Sequence, residues 1–176
     1  MMKFLRTARL DDSDEQVYAP AAAAGEPAVT GSFVFTFSDD DPALLTGKVR
    51  QAFRSGFLGV GSFGWSTLVR VEEIDADEYQ RAVDRLAHHL VEAYGAPTLA
   101  EALPFARQEM DYAASLCEAE PGTLLLIERH ADADGIHEAF RQVRPSEPAP
   151  VRQVADWRGH DGEIRIWDMF PDDGAR

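Results

Sequence analysis

The chain has 176 residues, one domain's length and enough to bury a sizeable core. Hydrophobic residues make up 45% and charged residues 27%, which argues for a globular protein and against disorder. The formal net charge of −14 repels phosphate backbones and anionic lipid, so nucleic acid and membrane are poor partners and a basic protein surface a better one.

Lys3 to Leu10 reads as a strand, and the acidic cluster Asp11–Glu15 as a turn. Gln16 to Ala19 reads as a short returning strand, followed by a small-residue loop closed by Gly25 and Pro27. Val29 to Phe37 is the clearest early strand, because Phe33, Phe35 and Phe37 alternate with Val34 and Thr36 and so share one face. Asp41 as N-cap and Pro42 at the first helical position predict a helix carrying Leu45, Val49 and Phe53, stopped at Gly56. A glycine-rich connection, Gly56 to Gly64, leads to a strand from Trp65 to Ile74.

Asp75 with Glu78 starts a second helix whose stripe is Tyr79, Val83, Leu86, Leu90 and Tyr94, ended by Gly95 and Pro97. Thr98 with Glu101 starts a third, in which Pro104 either kinks the helix or begins a new one reaching about Glu118. Its inward residues are Phe105, Met110, Ala113, Leu116 and Cys117. Leu124 to Ile127 fits a strand buried on both faces, and Asp134-Gly135 signals a hairpin returning along Ile136 to Val143. Arg144 to Pro150 is linker-like; Val151–Trp157 and Glu163–Trp167 then flank a Gly-rich turn as a last hairpin. The organisation is one α+β domain over residues 1–144 and a linker with a C-terminal hairpin or tail over 145–176. Strands cluster before and after the long helices, which predicts a mainly antiparallel sheet with two to three helices packed on one face.

Gly59-Val60-Gly61-Ser62-Phe63-Gly64 matches G-x-G-x-x-G, but a helix precedes it and a strand follows. A dinucleotide loop needs the reverse order, so that a helix N-terminus faces the pyrophosphate. From Pro42 to Arg70 there is no acidic residue, while Lys48, Arg50, Arg54 and Arg70 are basic. This window reads either as a solvated helix face or as a site for an anionic small molecule. In the second case Arg54, Phe57, Phe63, Trp65 and Arg70, with Phe53, would line it.

His130 and His137 flank the Asp134-Gly135 turn. With a loop over Asp132 to Gly135 they face each other across the strand pair, with Asp132 nearby, and such a set can bind zinc or non-haem iron. A two-residue loop would instead change the pairing and separate them. His88 and His89 are adjacent on a helix and point about 100° apart, so they do not chelate one ion. Cys117 is the lone cysteine, which excludes an intramolecular disulfide and a Cys-based zinc site; on the apolar side of a helix it reads as core. Ser62 and Ser66 lie outside G-x-S-x-G. No apolar run is long enough for a signal peptide or a membrane span, so the expectation is a cytoplasmic protein.

Three segments are familiar together: Met2–Arg6 with Arg9-Leu10-Asp11, Ala52–Gly59, and Ser62–Leu68. They resemble an uncharacterised family of small acidic bacterial proteins of unknown function, over most of the chain up to about Val143. The middle segment is the most specific, and the tail after Pro145 departs most. The resemblance implies a stand-alone domain in the company of accessory proteins of redox metalloenzymes, and it supplies no catalytic residues. The leading expectation is therefore a non-enzymatic accessory or protein-interaction domain with no cofactor. It would dock a basic partner or form a homodimer through an edge strand. The alternatives are an anionic-ligand domain or enzyme around residues 54–70, and metal binding at His130, His137 and Asp132.

Overall fold

The computed structural model describes residues 1–9 and 11–143. The expected linker and last hairpin, from residue 144 onward, lie outside them. The fold is α+β, built on two antiparallel sheets. Strands β1 (Met2–Ala8), β5 (Leu68–Ile74), β6 (Leu124–Asp132) and β7 (Gly135–Val143) form a four-stranded sheet in the order β1-β5-β6-β7. Strands β2 (Ala28–Val29), β3 (Phe57–Gly59) and β4 (Trp65–Ser66) form a smaller one.

Register assigns the two faces of the larger sheet. Leu5 opposes Val71, and Val69 opposes Leu125. These side chains share one core with helices α3 (Gly47–Ser55), α4 (Ala76–Tyr94) and α5 (Leu99–Ser115). On the other face Ala8 opposes Leu68, which opposes Leu126; these residues join Leu124 in a separate buried cluster. Leu124 to Ile127 is thus buried on both sides, as its unbroken apolar run predicts.

The two long helices are capped as their sequence signals dictate. Asp75 accepts the Glu78 N–H and Gly95 closes α4 at φ 73°. The Thr98 hydroxyl accepts the Glu101 N–H at the start of α5. That helix runs through Pro104 without restarting and ends at Ser115, short of Glu118.

Three early expectations are corrected. Gln16–Ala19 is not a strand: helix α1 (Ser13–Val17) occupies the segment, with Asp14 and Glu15 in its first turn, and Tyr18 is buried where its hydroxyl meets Thr67 Oγ1 at 2.7 Å. Val29–Phe37 is not a strand beyond Val29: Gly31, at φ 82°, turns the chain, and Phe33–Thr36 makes the single helical turn α2. The period of two was misleading because helical i, i+4 spacing brings Phe33 and Phe37 together, whereas Phe35 turns to Phe53 and Trp65. The helix expected from Pro42 is interrupted. Asp41 caps only a 3-10 turn, Pro42–Leu44, and α3 begins at Gly47. Gly56 does end α3.

Candidate functional site

The β6–β7 hairpin carries two polar rungs side by side. Its strands pair from Leu124↔Val143 to Asp132↔Gly135, so Arg129 opposes Glu138 and His130 opposes His137. Adjacent rungs face opposite ways. The first points into the helix-covered core and the second points outward.

The inward rung is a buried arginine with every direction occupied. Arg129, 3% exposed, donates to the carbonyls of Ala52 (3.2 Å), Phe53 (2.6 Å), Thr30 (2.7 Å) and Gly56 (3.2 Å). It also donates to Ser32 Oγ at 2.6 Å and lies 3.9 Å from the Glu138 carboxylate. Ala52, Phe53 and Gly56 carry carbonyls at the C-terminus of α3, the end at which a helix leaves acceptors unpaired. Burial lowers the Arg129 guanidinium to about 10, against the opposing pull of Glu138, so it is charged at neutral pH. Glu138 in turn accepts from Ser32 and from the Tyr112 hydroxyl. Burial first, then the charge of Glu138, pushes the Glu109 carboxyl on α5 up to about 7. Neither Glu138 nor Glu109 carries a signal in the sequence. An arginine in an apolar strand was the one available hint.

The outward rung holds the histidines. The turn spans Asp132 to Gly135, with the Asp134 N–H donating to Asp132 Oδ1 at 2.8 Å. The loop between the paired residues is Ala133-Asp134, so the expectation that a two-residue loop separates the histidines is corrected: the register keeps them opposite, and their rings stack with centroids 5.0 Å apart and planes 23° apart. His137 Nε2 lies 2.9 Å from Asp132 Oδ1. One ligand atom from each of His130, Asp132 and His137 lies within 4.8 Å of the others. A tetrahedral ion at zinc–nitrogen distance asks for roughly 3.3 Å between ligand atoms, so the set stands near binding geometry and would close further around an ion. The hydrogen bond from His137, then that from the Asp134 amide, lowers the Asp132 carboxyl below its ordinary value, so it is an anion at neutral pH.

The residues expected around the glycine loop are not gathered in one place. Phe57 and Trp65 are core residues, 0% and 8% exposed. Arg54 sits half-buried on the last turn of α3. Arg70 faces Arg6 across the β1–β5 ladder and pairs with Glu72 at 3.4 Å. Phe63 stacks on His89, centroids 3.7 Å apart, in a left-handed backbone conformation at φ 54°. The loop itself is a β3–β4 hairpin turn, strand on both sides, because Phe57–Gly59 is a strand that the glycine-rich composition concealed. Its Ser62 amide and hydroxyl both donate to Glu26 Oε1, at 3.1 and 3.0 Å. The place a phosphate would take is therefore filled by the chain's own carboxylate. Gly64 lies so close to Ala21 that a Cβ there would sit 2.5 Å from its backbone.

The loop does border a cleft of about 230 Å³, but the arginines on its wall are Arg81 and Arg85 of α4, with Val60 and Pro27 opposite. Two further clefts, of about 240 and 340 Å³, flank the rings of Phe37 and Tyr94. Cys117 is 4% exposed and burial pushes its thiol up to about 11, which suits core packing and not nucleophilic chemistry. No helix among the described residues is long and apolar enough to cross a membrane.

No curated protein and no solved structure matches the chain. Residues 2–160 match a family of unknown function, DUF6505, a span that continues past Val143. The chain belongs to that family, DUF6505.

Proposed function

We propose that this domain is a non-enzymatic accessory protein that binds one divalent transition-metal ion, zinc best, on the β6–β7 hairpin. The observation that carries this reading is the convergence of His130, Asp132 and His137 within 4.8 Å on one face of a rigid ladder. Two imidazoles and a carboxylate are the donor set of a borderline-soft divalent ion, and the backbone pairing holds the two rings together before any ion arrives. The exposed tip leaves coordination positions to water or to a partner's ligand. The ion is accordingly read as exchangeable cargo or as a bridge to a partner, not as a structural core.

The test uses untagged, chelator-treated protein titrated with zinc against a chromophoric competitor. One equivalent should bind, and His130→Ala or His137→Ala should weaken it by about 10–100-fold, while His88→Ala leaves it unchanged. A protein that takes up no stoichiometric zinc, or whose uptake ignores both hairpin histidines, does not have this function.

A further inference from the structure

Phe37 and Tyr94 stand in an apolar groove that takes no part in the hairpin site. Phe37, half-exposed at 50%, stands against Phe105 and Tyr94, with ring centroids 5.5 and 6.1 Å away. On one side of Phe37 and Tyr94 is the cleft of about 340 Å³, extended by Val49, 55% exposed. On the other side is the cleft of about 240 Å³, floored by Leu90 and Ala102. A solvent-facing aromatic between two open apolar clefts is a surface from which water is readily displaced.

Charge identifies the occupant. Asp40 lines the first cleft and Glu101 the second, and Asp39 and Asp41 flank Asp40 on the exposed segment that leads to the 3-10 turn. Among the described residues none of these four carboxylates is held in an ion pair, and they sit in a chain of net charge −14. Lys48 and Arg50 adjoin Val49 in the chain, but Arg50 is half-buried and already engaged. With four carboxylates against one exposed lysine, Lys48, the rim is net acidic around an apolar floor. We infer that this groove docks a basic amphipathic segment of a partner protein, one large apolar side chain in each cleft and lysines or arginines over the carboxylates. Two open clefts that share Phe37 and Tyr94 suit a peptide, which reaches both, better than a small molecule, which fills one enclosed pocket.

The inference is independent of the metal site, and its test reads binding with no metal present. The probe is a fluorescein-labelled helical peptide with leucines on one face and lysines on the other. Two controls share its length: leucines with glutamates, and serines with lysines. The leucine–lysine peptide should bind at least tenfold tighter than either control, and Phe37→Asp should cost at least tenfold. Asp40→Asn with Glu101→Gln should weaken binding several-fold and flatten its salt dependence, whereas Glu120→Gln should leave it unchanged. Amide shift mapping on the unaltered chain should place the footprint on Phe37, Val49 and Tyr94, a readout that does not rely on the variants folding. Equal binding of the serine–lysine peptide would reduce the effect to bulk charge and overturn the inference, as would a footprint elsewhere. A concentration-dependent dimer that Phe37→Asp dissociates would also overturn it, by assigning the groove to a second copy of the chain.

Discussion

The two rungs of the β6–β7 hairpin share one backbone ladder and differ in everything their side chains experience. Arg129 and Glu138 face the core, where each polar atom is answered: four carbonyls, a hydroxyl and a carboxylate surround one guanidinium. His130 and His137, one residue along, face water with Asp132 beside them. The inward rung ties β6 to the end of α3, to Thr30 and to α2, so it is a structural clamp. The outward rung has convergent donors tied only by exposed hydrogen bonds to one Asp132 oxygen, bonds that a ligand can displace, which is what a binding site needs. Polarity and proximity are alike in the two; only burial and satisfaction separate structure from candidate function.

The sharpest way to break that contrast is to cut the clamp. Arg129→Met should cost about 3–5 kcal/mol in urea unfolding, because four carbonyls lose their donor in a dry site and Glu138 loses its counter-charge. A loss under about 1 kcal/mol would mean that water replaces the guanidinium and that the rung is not a clamp. The opposite manipulation adds to the outward rung. Zinc at about one hundred times its Kd should raise stability by about 2.7 kcal/mol, seen as a rise in Tm, and at the same zinc concentration His130→Ala should cut that gain to about 0.4–1.4 kcal/mol. No zinc-dependent rise in the unaltered protein would remove the contrast from the other side.

How much of this was legible follows from which signals are local. The long helices α4 and α5 were readable because caps and stripes are written within one element: Asp75, Thr98 and Gly95 act on neighbours three to five residues away. The His130–His137 pair was readable for the same reason, since a hairpin turn fixes its own register. The clamp was not, because Arg129 reaches groups 73 to 99 residues away in sequence. The segment around Phe33 misled because aromatic alternation over five residues is compatible with a strand, and the turn at Gly31 and the rings of Tyr94 and Phe105 decided otherwise. The site around Arg54 and Arg70 was drawn by assuming that residues close in the chain share a cleft. Phe57 and Trp65 instead entered the core, and the arginines beside the glycine loop came from α4.

Titration sharpens the comparison at smaller amplitude. Burial and Glu138 raise the Glu109 carboxyl from 4.5 to about 7 on folding. Between those values the folded state binds more protons than the unfolded, so this stabilisation is complete below about pH 4.5 and is lost as pH rises through about 7. Allowing for its partial exposure, the amplitude should be about 1–2 kcal/mol, and Glu109→Gln should remove that share of the slope. Asp14, raised by its own burial, contributes with the same sign and keeps the variant from being wholly flat. A slope unchanged by Glu109→Gln would detach Glu109 from the inward cluster.

The smallest effect is the most discriminating. In metal-free protein His130→Ala and His137→Ala should each change stability by less than about 0.5 kcal/mol, since exposed side chains away from special features rarely matter more. His137→Ala should be the larger of the two, because it alone removes the bond to Asp132 Oδ1. The turn should survive in both, as the Asp134 amide still donates to that oxygen. If either variant instead cost as much as a core substitution, the histidine pair would be structural, and its convergence would be explained without an ion. Near-neutral cost in the apo protein, together with reduced zinc stabilisation, is the combination expected of residues kept for binding.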